Sequence, residues 1–140
     1  MLSRKISILF FVLIFSVSCS SSYEFLSKNL FDPPNDFSKH LLKEYKHKSD
    51  FEAKEMHDWN SAKLYSEKAL KAVDGIRIEP EVISYWKLPE QHHAELEKAY
   101  DNLMKVYETA IEKNPYDLAV AISSLDCWAE QQEENWQTWD

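Results

Sequence analysis

Glycine is almost missing from this chain: Gly75 is the single one in 140 residues. Phosphate-cradling loops and dinucleotide turns need backbone at positive φ or in very close approach, so neither can be built here. Hairpin-rich β folds are excluded on the same ground, because their tight turns lean on glycine. Basic residues are in the minority, with 16 Lys+Arg against 24 Asp+Glu and a net charge of -8. That balance excludes the clustered basic surface that binds nucleic acid. Cysteine occurs twice, at Cys19 and Cys127, too few for a disulfide framework. No apolar run reaches the length of about 20 residues that a membrane-crossing helix needs. What is plentiful is hydrophobic and aromatic material, 44% and 14%, including five Trp. An all-α fold with a real core is therefore expected, and no cofactor.

The start of the chain has three parts. Arg4 and Lys5 give a short positive segment, Ile6 to Val17 is apolar, and the small residues Ser16 to Ser18 lead to Cys19 and then Ser20, Ser21 and Ser22. This is the pattern of a secretory signal. With Cys19 at the exit, it resembles a bacterial lipoprotein signal, residues 1–18, although Ser16 stands where leucine is usual. The resemblance implies that the Cys19 thiol is lipidated, that cleavage precedes it, and that the protein is anchored in a membrane. A thiol is the side chain with the nucleophilicity this acylation requires. Ser20, in place of Asp, implies the outer membrane, facing the periplasm. The alternative is an ordinary signal cut after Ser-x-Ser, leaving a soluble periplasmic protein. Cleavage removes Arg4 and Lys5, so the remainder carries a balance of -10.

Residues 19–35 read as a tether ending in Phe31-Asp-Pro-Pro-Asn35, with Tyr23, Phe25, Leu26 and Leu30 available to dock. A helical domain, 36–140, follows. Its first helix is expected from Asp36, as N-cap, to Met56, with Phe37, Leu41, Tyr45, Ser49, Ala53 and Met56 on one face. Ser49 and Ala53 are small enough to let a second helix approach closely. That helix begins at Asp58 to Asn60, carries Ala62, Tyr65, Ala69 and Ala72 inward, and stops at Gly75 in the left-handed position. Lys68 and Lys71 are assigned to the negative end of its dipole. Residues 76–88 form an apolar connection, with one short helix expected from Pro80. A third long helix follows Pro89, with Leu96, Ala99, Tyr100, Leu103, Tyr107, Ala110 and Ile111 inward. Asn114-Pro115 opens a fourth, in which Leu118, Ala121, Ile122, Leu125 and Trp128 or Ala129 face the core. The expected architecture is two long helical hairpins. Ala62-x-x-Tyr65-x-x-x-Ala69 and the Tyr107 to Pro115 junction suggest tetratricopeptide-like packing without a 34-residue period.

Asp58-Trp-Asn-Ser-Ala62, Lys68-Ala-Leu-Lys-Ala72, Trp86-Lys-Leu-Pro89 and above all Asp126-Cys-Trp-Ala-Glu-Gln-Gln-Glu-Glu-Asn135 resemble the N-terminal helical region of OmpA-family lipoproteins of alphaproteobacteria. The resemblance spans about residues 36–136. In that family a C-terminal domain grips peptidoglycan; peptidoglycan is a partner here only if a further domain exists beyond Asp140. Family members also carry a second cysteine soon after the position of Cys127, and this chain does not.

Candidate chemistry is sparse. His93 and Glu97 could face one another one turn apart, beside His92 and Glu95, but a metal site needs three or four ligands, so no metal is expected. Glu133 and Glu134 are adjacent on a helix and point apart, which suits a solvated acidic face better than shared acid–base work. Cys127 lacks a basic neighbour in sequence and reads as a buried thiol or half of a disulfide. Trp59, Trp86 and Trp128 read as core fillers, while Trp136 and Trp139 near the polar end form the expected interaction surface. The reading is a non-enzymatic, lipid-anchored cell-envelope protein with a helical protein-interaction or structural domain. Its partners are the membrane, through Cys19, and a further protein, with no nucleic acid. The alternative is a soluble periplasmic binding protein using the Trp-rich C-terminal end.

Overall fold

Pro33 and Pro34 hold the chain extended up to Asn35, whose own backbone is also extended (φ -148°), and a helix starts there. The computed structural model describes residues 21–134, and among them every regular element is a helix. In order these are α1 (Ser21–Lys28), α2 (Asp36–Phe51) with a terminal π turn (Glu52–Met56), α3 (Trp59–Val73), α4 (Glu90–Lys113) and α5 (Pro115–Glu133). A 3-10 turn at Ile83–Tyr85 lies between α3 and α4. The N-cap of α2 is Asn35, whose side chain accepts from the Ser38 amide at 2.8 Å, and not Asp36, which is the first helical residue. Both suit a helix start, but only Asn35 has the extended backbone that a cap requires.

The α2–α3 hairpin forms where small residues were expected to allow it. Ser49 Oγ donates to the Ala62 carbonyl at 2.9 Å and lies 2.6 Å from Ser66 Oγ, contacts that place the two helices nearly backbone to backbone. Asp58 caps α3 by accepting from the Asn60 and Ser61 amides. The helix ends on Gly75 at φ 70°, with Gly75 N–H to Ala72 O and Ile76 N–H to Lys71 O. Those two bonds complete a Schellman stop, which needs a left-handed residue at that point. Helix α2 also packs on α5, and α5 on α4, giving the second hairpin.

Because α5 lies between α2 and α4, it is buried on more of its circumference than one stripe. Leu118, Ile122, Leu125 and Ala129 are buried as expected, but so are Ala119, Ser123, Asp126 and Glu130, while Ala121 is only half-buried. Helix α4 packs mainly on α5 alone, and only Leu96 and Tyr107 of its expected face are fully inside. Residues 21–35, from the stretch read as a tether, include α1, with Leu26 buried and Tyr23 against Trp59 (ring centroids 6.0 Å). Phe25 and Leu30 are exposed.

The connection 74–89 is an extended strap and does not form a helix at Pro80. Side chains from three helices pin it: Tyr107 Oη donates to Ile78 O, Lys68 Nζ to Glu79 O, and the Glu81 amide to Asp126 Oδ1. Bonds to side chains satisfy its backbone from Ile78 to Glu81, and the 3-10 turn after it supplies its own, Tyr85 N–H to Val82 O and Trp86 N–H to Ile83 O. Ile83 and Trp86 then plug a second core made with Leu96, Leu125 and Ala129.

Candidate functional site

The deepest polar group sits where α2, α3, α5 and the strap meet. Asp126 is 1% exposed and accepts from Tyr45 Oη at 2.6 Å, Lys68 Nζ at 2.6 Å and the Glu81 amide at 2.7 Å. Lys68 is 4% exposed, not a solvated dipole partner, and also meets Glu81 Oε1 at 3.1 Å. Burial raises the Asp126 carboxyl above its ordinary range, with Lys68 pulling the other way. The Tyr45 phenol is pushed well up by burial and by the Asp126 charge. All donors and acceptors in this group bond to one another, so the network holds elements together and offers no free group for chemistry.

One helical turn further along α5 lies a second, less satisfied group. Glu130 is 3% exposed; its Oε2 accepts from Tyr65 Oη at 2.6 Å, while its Oε1 is buried without a hydrogen bond. Ser61's hydroxyl is near enough to stabilise the Glu130 charge but is aligned on Asp58 Oδ2 at 3.4 Å. Carboxylate oxygens of Asp58, Glu130 and Glu134 all lie within 4.8 Å of one another. Three features of the fold bring them together. The π turn closes α2 on His57, held at φ 58°; this aims Asp58 inward; and Glu130 and Glu134 stand four apart on one face of α5. Glu52, in the π turn, is pushed up to about 7 by burial and by the Glu130, Asp58 and Glu134 charges. Burial also raises Glu130 and Glu134. Beside them is a cavity of about 430 Å³ lined by Met56, His57, Asp58, Trp59, Asn60 and Glu134.

A third feature is apolar. Between α4 and α5 runs a groove of two adjoining cavities, about 440 and 360 Å³, sharing Leu103 and Ala121. Val106, Ala110 and Leu118 line one end and Leu125 and Trp128 the other.

Of the residues singled out from sequence, Cys19, Trp136 and Trp139 lie outside the described residues. His93 Nδ1 and Glu97 Oε1 are 3.7 Å apart on a partly exposed helix face, away from any third ligand among the described residues. Glu133 and Glu134 do point apart: Glu133 accepts from the Lys87 amide at 2.7 Å, but Glu134 joins the acidic group instead of a solvated face. Cys127 is free and half-buried, its thiol raised by burial despite the nearby Lys48. Trp86 is core and Trp128 is half-buried, whereas Trp59 is 47% exposed at the rim of the acidic cavity. Sequence reasoning missed Lys68, Asp126 and Glu130 as buried residues, although Lys68 shares the Tyr65–Ala69–Ala72 stripe and Ile122, Asp126 and Glu130 recur every four residues. No protein-family model, curated protein or solved structure matches the chain.

Proposed function

We propose that this chain is a non-enzymatic protein of the cell envelope, held on a membrane by lipid attached to Cys19, with its helical body serving as a protein-interaction or structural domain. The carrying observation is the placement of Cys19 at the end of the Ile6–Val17 apolar run, with α1 folded onto α2 and α3 from Ser21 onward. Two residues of chain span about 7 Å at most, so lipid on Cys19 holds the body directly against the bilayer. No helix among the described residues is long and apolar enough to cross a membrane, so attachment in this reading falls to the lipid. One acyl chain binds marginally and several bind firmly, at about 0.8 kcal/mol per buried methylene. The α4–α5 groove supports an interaction role: its apolar lining runs along two helices and fits the apolar face of a helix from a partner protein. The OmpA-family likeness of the motifs is consistent with an outer-membrane lipoprotein facing the periplasm.

Metabolic labelling with palmitate tests the anchor. Wild type should incorporate label and Cys19→Ala should not; equal labelling of both defeats the reading. Mass spectrometry of the mature N-terminus gives the second measurement. An unmodified terminus on protein released by osmotic shock assigns the soluble binding-protein alternative instead.

A further inference from the structure

At the far end of α5 several ordinary rules of protein electrostatics are broken at one spot. Glu130, Glu133 and Glu134 crowd the last turns of a helix with no basic residue there, where the dipole already favours cations. Glu130 and Glu134 form a like-charge pair at i,i+4, which is unfavourable by itself. Asp58 comes in from the start of α3, and Glu52 from the π turn of α2. The cation facing the group is Lys48, which acts on Glu52 and Glu130 without forming an ion pair to either within 4.0 Å. Glu130 also keeps one oxygen buried and unbonded while the same carboxylate is bonded at the other. A buried carboxylate oxygen left without a partner carries its full desolvation penalty uncompensated. Breaches that coincide in this way mark functional sites more often than accidents of packing.

We propose that Asp58, Glu130 and Glu134 bind a calcium ion, with Glu52 as a flanking carboxylate and water completing the shell from the adjoining cavity. The donors are all hard oxygens, which select calcium, magnesium or manganese over zinc or copper. Calcium takes oxygens at about 2.3–2.6 Å in loose geometry, so donors to one ion stand no more than about 5 Å apart, and the oxygens of this group all lie within 4.8 Å of one another. Each donor has an oxygen to spare. Asp58 Oδ1 is used by the Asn60 and Ser61 amides while Oδ2 has a long contact to Ser61; Asp58 and Glu134 also lie within hydrogen-bond reach of each other, a contact an ion would replace; Glu130 Oε1 is unbonded; and Glu134 is exposed at the cavity. The ion would bridge the start of α3 to the end of α5, beside the Tyr65 hydroxyl that already joins them. With three protein carboxylates and an open side, the affinity belongs on the order of 10⁻⁴ to 10⁻³ M, as in extracellular calcium modules. The site is independent of the membrane anchor.

The test uses the full-length protein in detergent, stripped of metal with chelating resin, at pH 7.5. Calorimetric titration with calcium chloride should show one site, and calcium should raise the thermal midpoint. Glu134→Gln, at an exposed position that folding tolerates, and Asp58→Asn, which keeps the capping acceptor, should each weaken binding at least about tenfold. Terbium supplies a local readout. Trp59 lines the cavity, so indole-sensitised terbium luminescence should appear in wild type, fall sharply in Trp59→Phe, and be competed away by calcium. Absence of heat and of any midpoint shift at 10-millimolar-scale calcium overturns the site, as does unchanged affinity in both carboxamide variants. In either case the carboxylates are held by protons and Lys48 alone.

Discussion

Replacing Asp126 by alanine removes the acceptor on which three elements converge. Lys68, with a side chain 5% exposed, loses its 2.6 Å partner and keeps the Glu79 carbonyl, a long 3.5 Å contact to Tyr45 Oη and the partly exposed Glu81. The Tyr45 hydroxyl and the Glu81 amide lose their acceptor as well. Leaving one member of a buried ion pair uncompensated costs about 3–5 kcal/mol. For a domain of this size 4 kcal/mol corresponds to a fall in Tm of roughly 15 °C. Lys68→Met should cost a comparable amount, since it leaves Asp126 buried without its cation. The double variant Lys68→Met/Asp126→Ala removes both charges and should cost only about 2–4 kcal/mol, for the orphaned hydroxyl and amide. The coupling energy between the two positions is then 2 kcal/mol or more, on the order seen for contacting charges. Urea denaturation followed by circular dichroism measures all four corners. A cost under about 1 kcal/mol for Asp126→Ala, or single costs that simply add in the double variant, would refute the assignment of this pair as the joint between α3, α5 and the strap.

Gly75→Ala places a Cβ 2.8 Å from Pro34 Cγ on a backbone at φ 70°, so it should destabilise by about 2–3 kcal/mol, read as a lower urea midpoint with an unchanged slope. His57→Gly works in the opposite direction. His57 is an exposed L-residue at φ 58°, and relieving it should stabilise by about 0.5–1 kcal/mol in the same assay. Glu52 supplies a pH dependence: its carboxyl rises from 4.5 unfolded to about 7 folded, so the native state holds the proton more tightly. Its contribution to stability is therefore full below pH 4.5, lost as pH rises toward 7, and flat above. The loss is at most about 3 kcal/mol, and about 1–2 kcal/mol after allowing for partial solvation. Glu52→Gln should flatten that slope and be the more stable protein at pH 8; an unchanged profile would remove burial as the cause.

Helix starts and stops were legible in the chain because their determinants are local. Asp58 caps α3, Gly75 ends it, Pro115 opens α5, and each acts through bonds within a few residues of itself. The α2–α3 crossing was legible too, since small residues such as Ser49 and Ala62 allow close approach whichever residues surround them. The same local reasoning placed the α2 cap one residue late, at Asp36, because the choice between Asn35 and Asp36 rests on backbone angle.

What the sequence determined by itself is the helical class and the hairpin order. Its charges, by contrast, could be read only as surface. Lys68 and Asp126 stand 58 positions apart, and Glu130 is 65 from its Tyr65 donor, so nothing local says that each has a partner. Whether a carboxylate is buried depends on how many neighbours its helix acquires, and α5 acquires them on two sides while α4 does so mainly on one. Tertiary packing alone decided which acids are bonded to a cation, which are crowded together, and which face the solvent. Desolvation and Coulomb energy depend on distance through space, and distance along the chain does not supply it.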